Sequence, residues 1–434
     1  MPASPALPSP ARIAQPGPPG PAPRHAPALS DSGASRQWLR TERPNLTACL
    51  RYAIDNGLDE ATVALSAGLA SLLRADGPWP QAIASQAAAV AAAARLGDQA
   101  SQARAQTELG VVRYKSGDYP GAEESLRTAV TLYRETGDKP GQANAQTELG
   151  TALTLSVDFP GAEDSLRAAL GLYRESGDRL GQAHAYTVLG IVRYKTGDYP
   201  GAQHSLRTAL ELFREAGDQA GQAHALTELV EVQTLTGDYT AAVRSGEFAL
   251  LIARELGDRL RLATATMQLG MAQRMIGDYE SAARNQQAAH ELYRELGDRF
   301  GQANTLTELA EVRRLTGDYP SAAGDLERAI GIYRDLGSRG NEAWALNYYA
   351  AVIADTGDQD RAVAVYQDAL RLAREVHQPD DEAIALQGLG EARLRQGKTE
   401  DGAARLRHAL EIYRRLGMPA ADQVTARLAE IGAG

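Results

Sequence analysis

Four groups of residues in this 434-residue chain have types and spacings that invite a chemical reading. Residues 392–399 read ARLRQGKT. This is a relaxed form of a phosphate-binding loop, in which glycine N–H groups and a Lys-Thr pair cradle phosphate between a strand and a helix. Gly397, however, falls at the same place as Gly117, Gly197 and Gly317 in a segment that recurs along the chain, and a helical pattern precedes it. The expected conformation is a turn, with Lys398 replacing the usual Asp. His184 and His224 are 40 residues apart, on matching faces of successive helices about 10 Å apart. A metal would need two further ligands, and the neighbouring Thr187 and Thr227 are poor ones, so no metal site is expected. Glu148, Glu228 and Glu308 recur through duplication rather than as a catalytic pair. Cys49, the single cysteine, has no histidine near it in sequence, so neither a Cys-His nor a Ser-His-Asp arrangement can be assembled. The reading is a chain with no catalytic residue, no cofactor and no enzyme activity.

What positions these residues is a repeat of 40 residues that runs without insertion or deletion for eight copies, starting at 101, 141, 181, 221, 261, 301, 341 and 381. A fixed long period marks a solenoid, in which each unit buries its apolar face only against its neighbours. The copy at 181 shows how. Ala183, Ala185, Leu189, Gly190 and Val192 fall at helical spacing. Gly197 suits a left-handed helix end, Asp198 an N-cap and Pro200 the first turn of a second helix. Ala202, Leu206, Ala209, Leu210, Leu212 and Phe213 form the apolar stripe of that second helix, and Gly217-Asp218 ends it and caps the next copy.

This pattern resembles the tetratricopeptide repeat in its lengthened 40-residue form. The family motif is a Leu-Gly in helix A, an early Ala in helix B, then a large apolar residue and another Ala. Leu109-Gly110, Ala122, Leu126 and Ala129 carry it here, and Leu149-Gly150, Ala162, Leu166 and Ala169 repeat it. The resemblance implies an all-α fold, a right-handed superhelical solenoid of stacked antiparallel helix pairs. Where the family usually has Tyr after the Gly, this chain has Arg113, Arg193, Arg313 and Arg393, expected to lay their stems on apolar surface and reach solvent. Residues 37–100 are expected to hold an N-terminal helical cap and a degenerate repeat, with turns at Gly77 and Gly97. The eight repeats fill 101–420, and 421–434 closes the stack as a capping helix. One divergent zone, 341–380, carries Trp344, Asn347, Tyr348 and Tyr349, and has His377-Gln378 in place of Gly-Asp.

Residues 1–36 are different material: ten of the twenty prolines lie between Pro2 and Pro27. Such a Pro/Ala-rich stretch cannot build a core and is expected to be a disordered, polyproline-like tail. Beyond it, Trp38-Leu39-Arg40-Thr41-Glu42-Arg43-Pro44-Asn45-Leu46 is similar to the segment joining ATPase and repeat halves in actinobacterial NB-ARC regulators of the SARP and STAND type. That resemblance implies the C-terminal sensor half of a signalling switch, whose nucleotide-binding part would lie upstream, where only the proline-rich stretch stands. A chain of this kind would be cytoplasmic, and a lone cysteine fits a reducing compartment. No stretch approaches the ~20 apolar residues that span a membrane, and no secretory signal opens the chain.

The tail carries +2, from Arg12, Arg24 and Arg36 against Asp31, which leaves −12 of the overall −10 on the rest. An acidic solenoid does not attract phosphate backbones, so direct nucleic-acid binding is not expected. A basic or mixed-charge protein segment is the better partner. By analogy with the family, the inner wall is built from the fourth, seventh, eleventh, fourteenth and fifteenth residues of each copy. These include Asn144, Thr147, Thr151, His184, Thr187, Tyr194, Lys195, His224, Thr227, Glu231, Met267, Met271, Arg274, Asn304, Thr307, Glu311, Arg314, Trp344 and Asn347. Asn and Thr can bond to an extended peptide and Trp344 can anchor a side chain. Repeat consensus alone also accounts for the recurring Thr. The expectation is a non-catalytic interaction or sensor module in bacterial signalling or transcriptional regulation, binding a peptide or protein in this groove. The alternatives are a general assembly scaffold and the sensor fragment of a nucleotide-dependent switch. Self-association into a homo-oligomer is left open.

Overall fold

The computed structural model describes residues 32–76 and 79–432, with the side chains of 32–37 and 75–76 outside that description. Residues 1–31 of the expected tail, and the expected turn residue Gly77, therefore lie outside the described residues. Among the described residues there are twenty α-helices and no strand, from Ser32–Asp55 to Ala420–Glu430. The fold is all-α. The first helix starts inside the segment read as tail and runs through Pro44.

Packing divides the chain into two units, one running to Val192 and the other from Arg193 to Gly434. The boundary falls inside the helix Arg179–Lys195. Each unit is a stack of antiparallel helix pairs, an A helix and a B helix per copy. In the first unit, Leu109 and Val112 join Leu69, Leu72 and Leu73 in one apolar cluster. Leu126, Leu149, Leu153, Leu166 and Leu189 build the next. In the second, Val230, Ala242, Met271 and Ala272 form one buried patch and Ala263, Ala289 and Tyr293 another.

Capping explains the regular spacing. Asp118 and Asp198 accept a hydrogen bond from the N–H of Gly121 and Gly201, each at 3.0 Å, and Pro sits in the first turn of both helices. Asp138 does the same for the A helix that follows, accepting from Gly141 N–H at 2.9 Å. The preceding glycines end each helix left-handed, with φ of +86° at Gly197 and +73° at Gly137. Two copies break this rule. Val157 and His377 occupy glycine positions with φ of +66° and +56°, a conformation that strains a β-branched residue in particular.

The Leu-Gly motif marks closest approach of the paired helices. A Cβ on Gly110 would lie 2.4 Å from Leu126 Cγ, and one on Gly150 2.6 Å from Leu166 Cγ. The arginines that follow do not reach for solvent. Arg113 Nη1 donates to the Gly121 carbonyl at 2.9 Å and to Ser125 Oγ at 2.7 Å. Arg193 makes the same pair of bonds to Gly201 and Ser205, and Arg313 bonds Asp325. Arg393 pairs with Gln396 and Asp401. A guanidinium can satisfy a helix-end carbonyl and a side chain at once, so these residues staple helix A to helix B. Within the second unit, the turn at Gly197 lies against Leu416 and that at Gly237 against Pro419, close enough that a Cβ on either glycine would come within 2.9 and 3.0 Å. The stack of that unit curls until its last helices meet its first turns.

Candidate peptide groove

The structure closes more of the inner wall than the sequence suggested. Of the expected groove residues, Asn144 is exposed, while Thr151, His184, Lys195, His224, Met267, Arg274 and Arg314 are half-buried. Thr147, Thr187, Tyr194, Thr227, Glu231, Met271, Asn304, Thr307, Glu311, Trp344 and Asn347 are buried. The seventh-position threonines are not groove donors. Thr147, Thr187, Thr227 and Thr307 each turn the hydroxyl back to the carbonyl four residues earlier, at 3.0, 2.9, 2.8 and 2.9 Å. This is the common fate of a helical Thr. Asn304 accepts from the Tyr333 hydroxyl at 2.7 Å, and Asn347 donates to the Asp381 carbonyl at 3.2 Å and carboxylate at 3.4 Å. Trp344 is buried and packed against Tyr348, ring centres 5.7 Å apart.

Polar residues the repeat was expected to carry only by duplication turn out to be paired between copies. Counted from the first residue of each copy, position 14 meets position 8 of the next. Arg74 bonds Glu108, and the Tyr114 hydroxyl donates to Glu148 Oε2 at 2.8 Å. Arg274 Nε donates to Glu308 Oε2 at 3.1 Å. Glu148 and Glu308 are 5% and 4% exposed, and a carboxylate so far from water requires a donor or cation. The signal was present in the sequence. Where position 14 is Arg or Tyr the next position 8 is Glu in four of five cases. Where it is Thr or Ala, as in Thr154/Val188, Thr234/Gln268 and Ala354/Gly388, no carboxylate follows.

In the copies from 261 onward the pairing extends sideways. The Arg274 guanidinium lies 5.9 Å over the Tyr348 ring, which also faces Trp344. Arg314 donates to both Glu311 oxygens at 2.7 and 2.9 Å and bonds Asp355. The wall here is polar and already satisfied from within.

The copy at 221 differs. Glu231 stands at position 11, as Glu311 does, but position 14 holds Thr234, whose hydroxyl returns to Val230. Glu231 is 4% exposed and has no hydrogen-bond partner among the described residues. Its carboxyl is pushed up to about 7, by burial first and by Glu228 next; among the described residues Lys195 opposes this and Asp380 adds to it. Glu228 is 3% exposed with His224 Nε2 3.5 Å from its Oε1, and its Oε2 is buried without a hydrogen-bond partner. Asp380, at the start of helix Pro379–Arg395, also raises the Tyr199 and Tyr413 hydroxyls, after burial.

Gly397 is left-handed at +78° in the turn between helices Pro379–Arg395 and Thr399–Leu416, so residues 392–399 are a helix end, a repeat turn and the start of the next helix. Among the described residues no three His, Cys, Asp or Glu side chains come together as metal ligands. No helix is long and apolar enough to cross a membrane. An open cleft of about 690 Å³ has Tyr279, Arg284 and Arg313 in its wall and none of the expected groove residues.

The tetratricopeptide repeat family model matches residues 59–135, 101–175, 141–215, 221–295, 277–335 and 341–415, and a second repeat model matches 187–250. The chain belongs to the tetratricopeptide repeat family. No curated protein sequence matches it. Among solved structures, this tetratricopeptide repeat chain is similar to a Rap protein complexed with Competence and Sporulation Factor. The TM-score is 0.63 at 16% identity, covering 82% of this chain and 98% of that one. The apo quorum sensor NprR from B. thuringiensis aligns at 0.56 and 15% identity, over 77% of this chain and 96% of that. A signal-transduction ATPase with numerous domains from Pyrococcus horikoshii, which carries a tetratricopeptide repeat sensor, aligns at 0.54 and 16% identity. That match covers 84% of this chain and 54% of that one. At such identities the likeness is one of fold.

Proposed function

We propose that this tetratricopeptide repeat chain is a non-catalytic sensor or interaction module, which takes a peptide or protein segment against its A-helix wall in bacterial signalling or transcriptional regulation. The observation that carries this reading is the polarity of the wall. Core positions that a purely structural stack would fill with Leu or Ala hold Glu228, Glu231, Glu308 and Arg274, at the desolvation cost of buried charge. Fold neighbours support it, since one is a Rap protein in complex with Competence and Sporulation Factor. A second reading, the sensor half of a larger nucleotide-dependent switch, draws support from the P. horikoshii ATPase, of which this chain spans about half.

The test is affinity capture from the native host, followed by titration of the captured partner against variants of accessible wall residues. Asn144→Ala, Lys195→Ala and His224→Ala are expected to weaken binding tenfold or more for the copies the partner occupies. A partner whose affinity is unchanged by all three contradicts the groove reading.

A further inference from the structure

Position 11 of the repeat carries a buried glutamate twice in the second unit, and among the described residues only one of the two has a cation at bonding distance. Glu311 has Arg314 three residues on, at 2.7 Å. Glu231 has Thr234 there. Around Glu231 stand Glu228, at 3% exposure with a buried oxygen that no donor reaches, and Asp380 within electrostatic reach. Among the described residues Lys195 is the cation that acts on Glu231, yet it makes no ion pair with either glutamate; its ammonium lies 5.0 Å over the Tyr194 ring. His224 Nε2 lies 3.5 Å from Glu228 Oε1. Two desolvated carboxylates, one with a buried oxygen that has no hydrogen-bond partner, and a Thr in the register where the copy at 301 keeps Arg314 describe a half-built ion pair.

We propose that Glu231 and Glu228 form a recess for the cationic group of a bound peptide, either its α-amino terminus or a Lys or Arg side chain. This rests on the groove reading above and deepens it by naming the ligand's charge. An ammonium or guanidinium entering here occupies the place that Arg314 fills beside Glu311. The overall acidity of the chain favours the same class of ligand.

The experiment uses four pools of fluorescein-labelled hexapeptides, randomised at the other positions. They carry a free or acetylated N-terminus, with or without one fixed lysine, and binding to the full chain is read by anisotropy at pH 7.5. Wild-type protein is expected to bind at least one cationic pool tenfold or more tighter than the acetylated, lysine-free pool, and the preferred pool tells amino terminus from side chain. Glu231→Gln, which keeps the side-chain shape, is expected to erase the preference. Thr234→Arg, which supplies the cation in the Arg314 register, is expected to do the same by filling the recess, and circular dichroism checks that both variants keep their helix. Equal binding of all four pools, or a preference that survives both substitutions, overturns the cationic recess while leaving peptide binding in the groove intact. No binding by any pool overturns both.

Discussion

The Tyr114 hydroxyl donates to the Glu148 carboxylate at 2.8 Å, one copy along the stack, with both residues buried. Burial followed by the nearby Glu148 holds this tyrosine well above its usual range, so the phenol keeps its proton and remains the donor. Tyr114→Phe is expected to cost about 2 kcal/mol, the scale for leaving a charged acceptor without its hydrogen bond. In a double-mutant cycle with Glu148→Gln the two costs should fall short of additive. Because solenoid stability is summed from neighbours, hydrogen exchange should rise mainly in the copies at 101 and 141. A uniform rise across the chain contradicts this.

The pairing of position 14 with the next position 8 can be transplanted. Val188, half-buried, follows Thr154 in that register. Val188→Glu alone is expected to destabilise by about 2 kcal/mol, from a poorly solvated carboxylate without a donor. Adding Thr154→Tyr should recover part of that loss, measured by the urea midpoint. A double variant no more stable than Val188→Glu refutes the register rule.

Val157 holds a left-handed turn, φ +66°, where the other inner turns use glycine. Val157→Gly removes a strain of about 1–2 kcal/mol and adds back roughly 0.5–1 kcal/mol of unfolded-chain entropy. The net expectation is a small stabilisation, seen as slower hydrogen exchange at the start of helix Phe159–Ser176. Faster exchange there contradicts it.

Glu231 makes stability depend on pH with a definite sign. Its carboxyl titrates at about 7 in the fold against an ordinary 4.5, so the folded state binds the proton more tightly than the unfolded one. The chain keeps this contribution below about pH 4.5 and loses it as pH rises through 7, by about 3 kcal/mol at most. Among the described residues the charged groups that act on it are Glu228, Lys195 and Asp380, and none of these is altered in Glu231→Gln. The variant should therefore gain on wild type between pH 5 and 8 in thermal unfolding, with no further divergence above. A constant difference across that range contradicts the assignment.

The fold was legible because each copy writes its own punctuation. Gly197-Asp198 and Gly217-Asp218 end and cap helices at fixed spacing, and Leu109-Gly110 marks the contact with Leu126. The wall was less legible. Family analogy places Thr187 and Asn304 inward, but whether a polar group faces a groove or a neighbour depends on the next copy, and Tyr333 claims Asn304. The arginines at Arg113 and Arg193 pointed to solvent on composition alone, since Ser125 and Ser205 lie 12 residues away on the partner helix. Glu228 and Glu308 were set aside as products of duplication. Comparing copies position by position, rather than reading each copy singly, would have tied Arg274 to Glu308 beforehand.

The most direct test of a peptide-binding inner wall is hydrogen exchange by mass spectrometry on the full chain, with and without the captured partner at saturation. Slowed exchange is expected in the A helices Gln219–Leu235 and Pro379–Arg395, with the outward faces of the B helices unchanged. Protection confined to B helices such as Tyr239–Leu256, with the A helices exchanging as before, would contradict it.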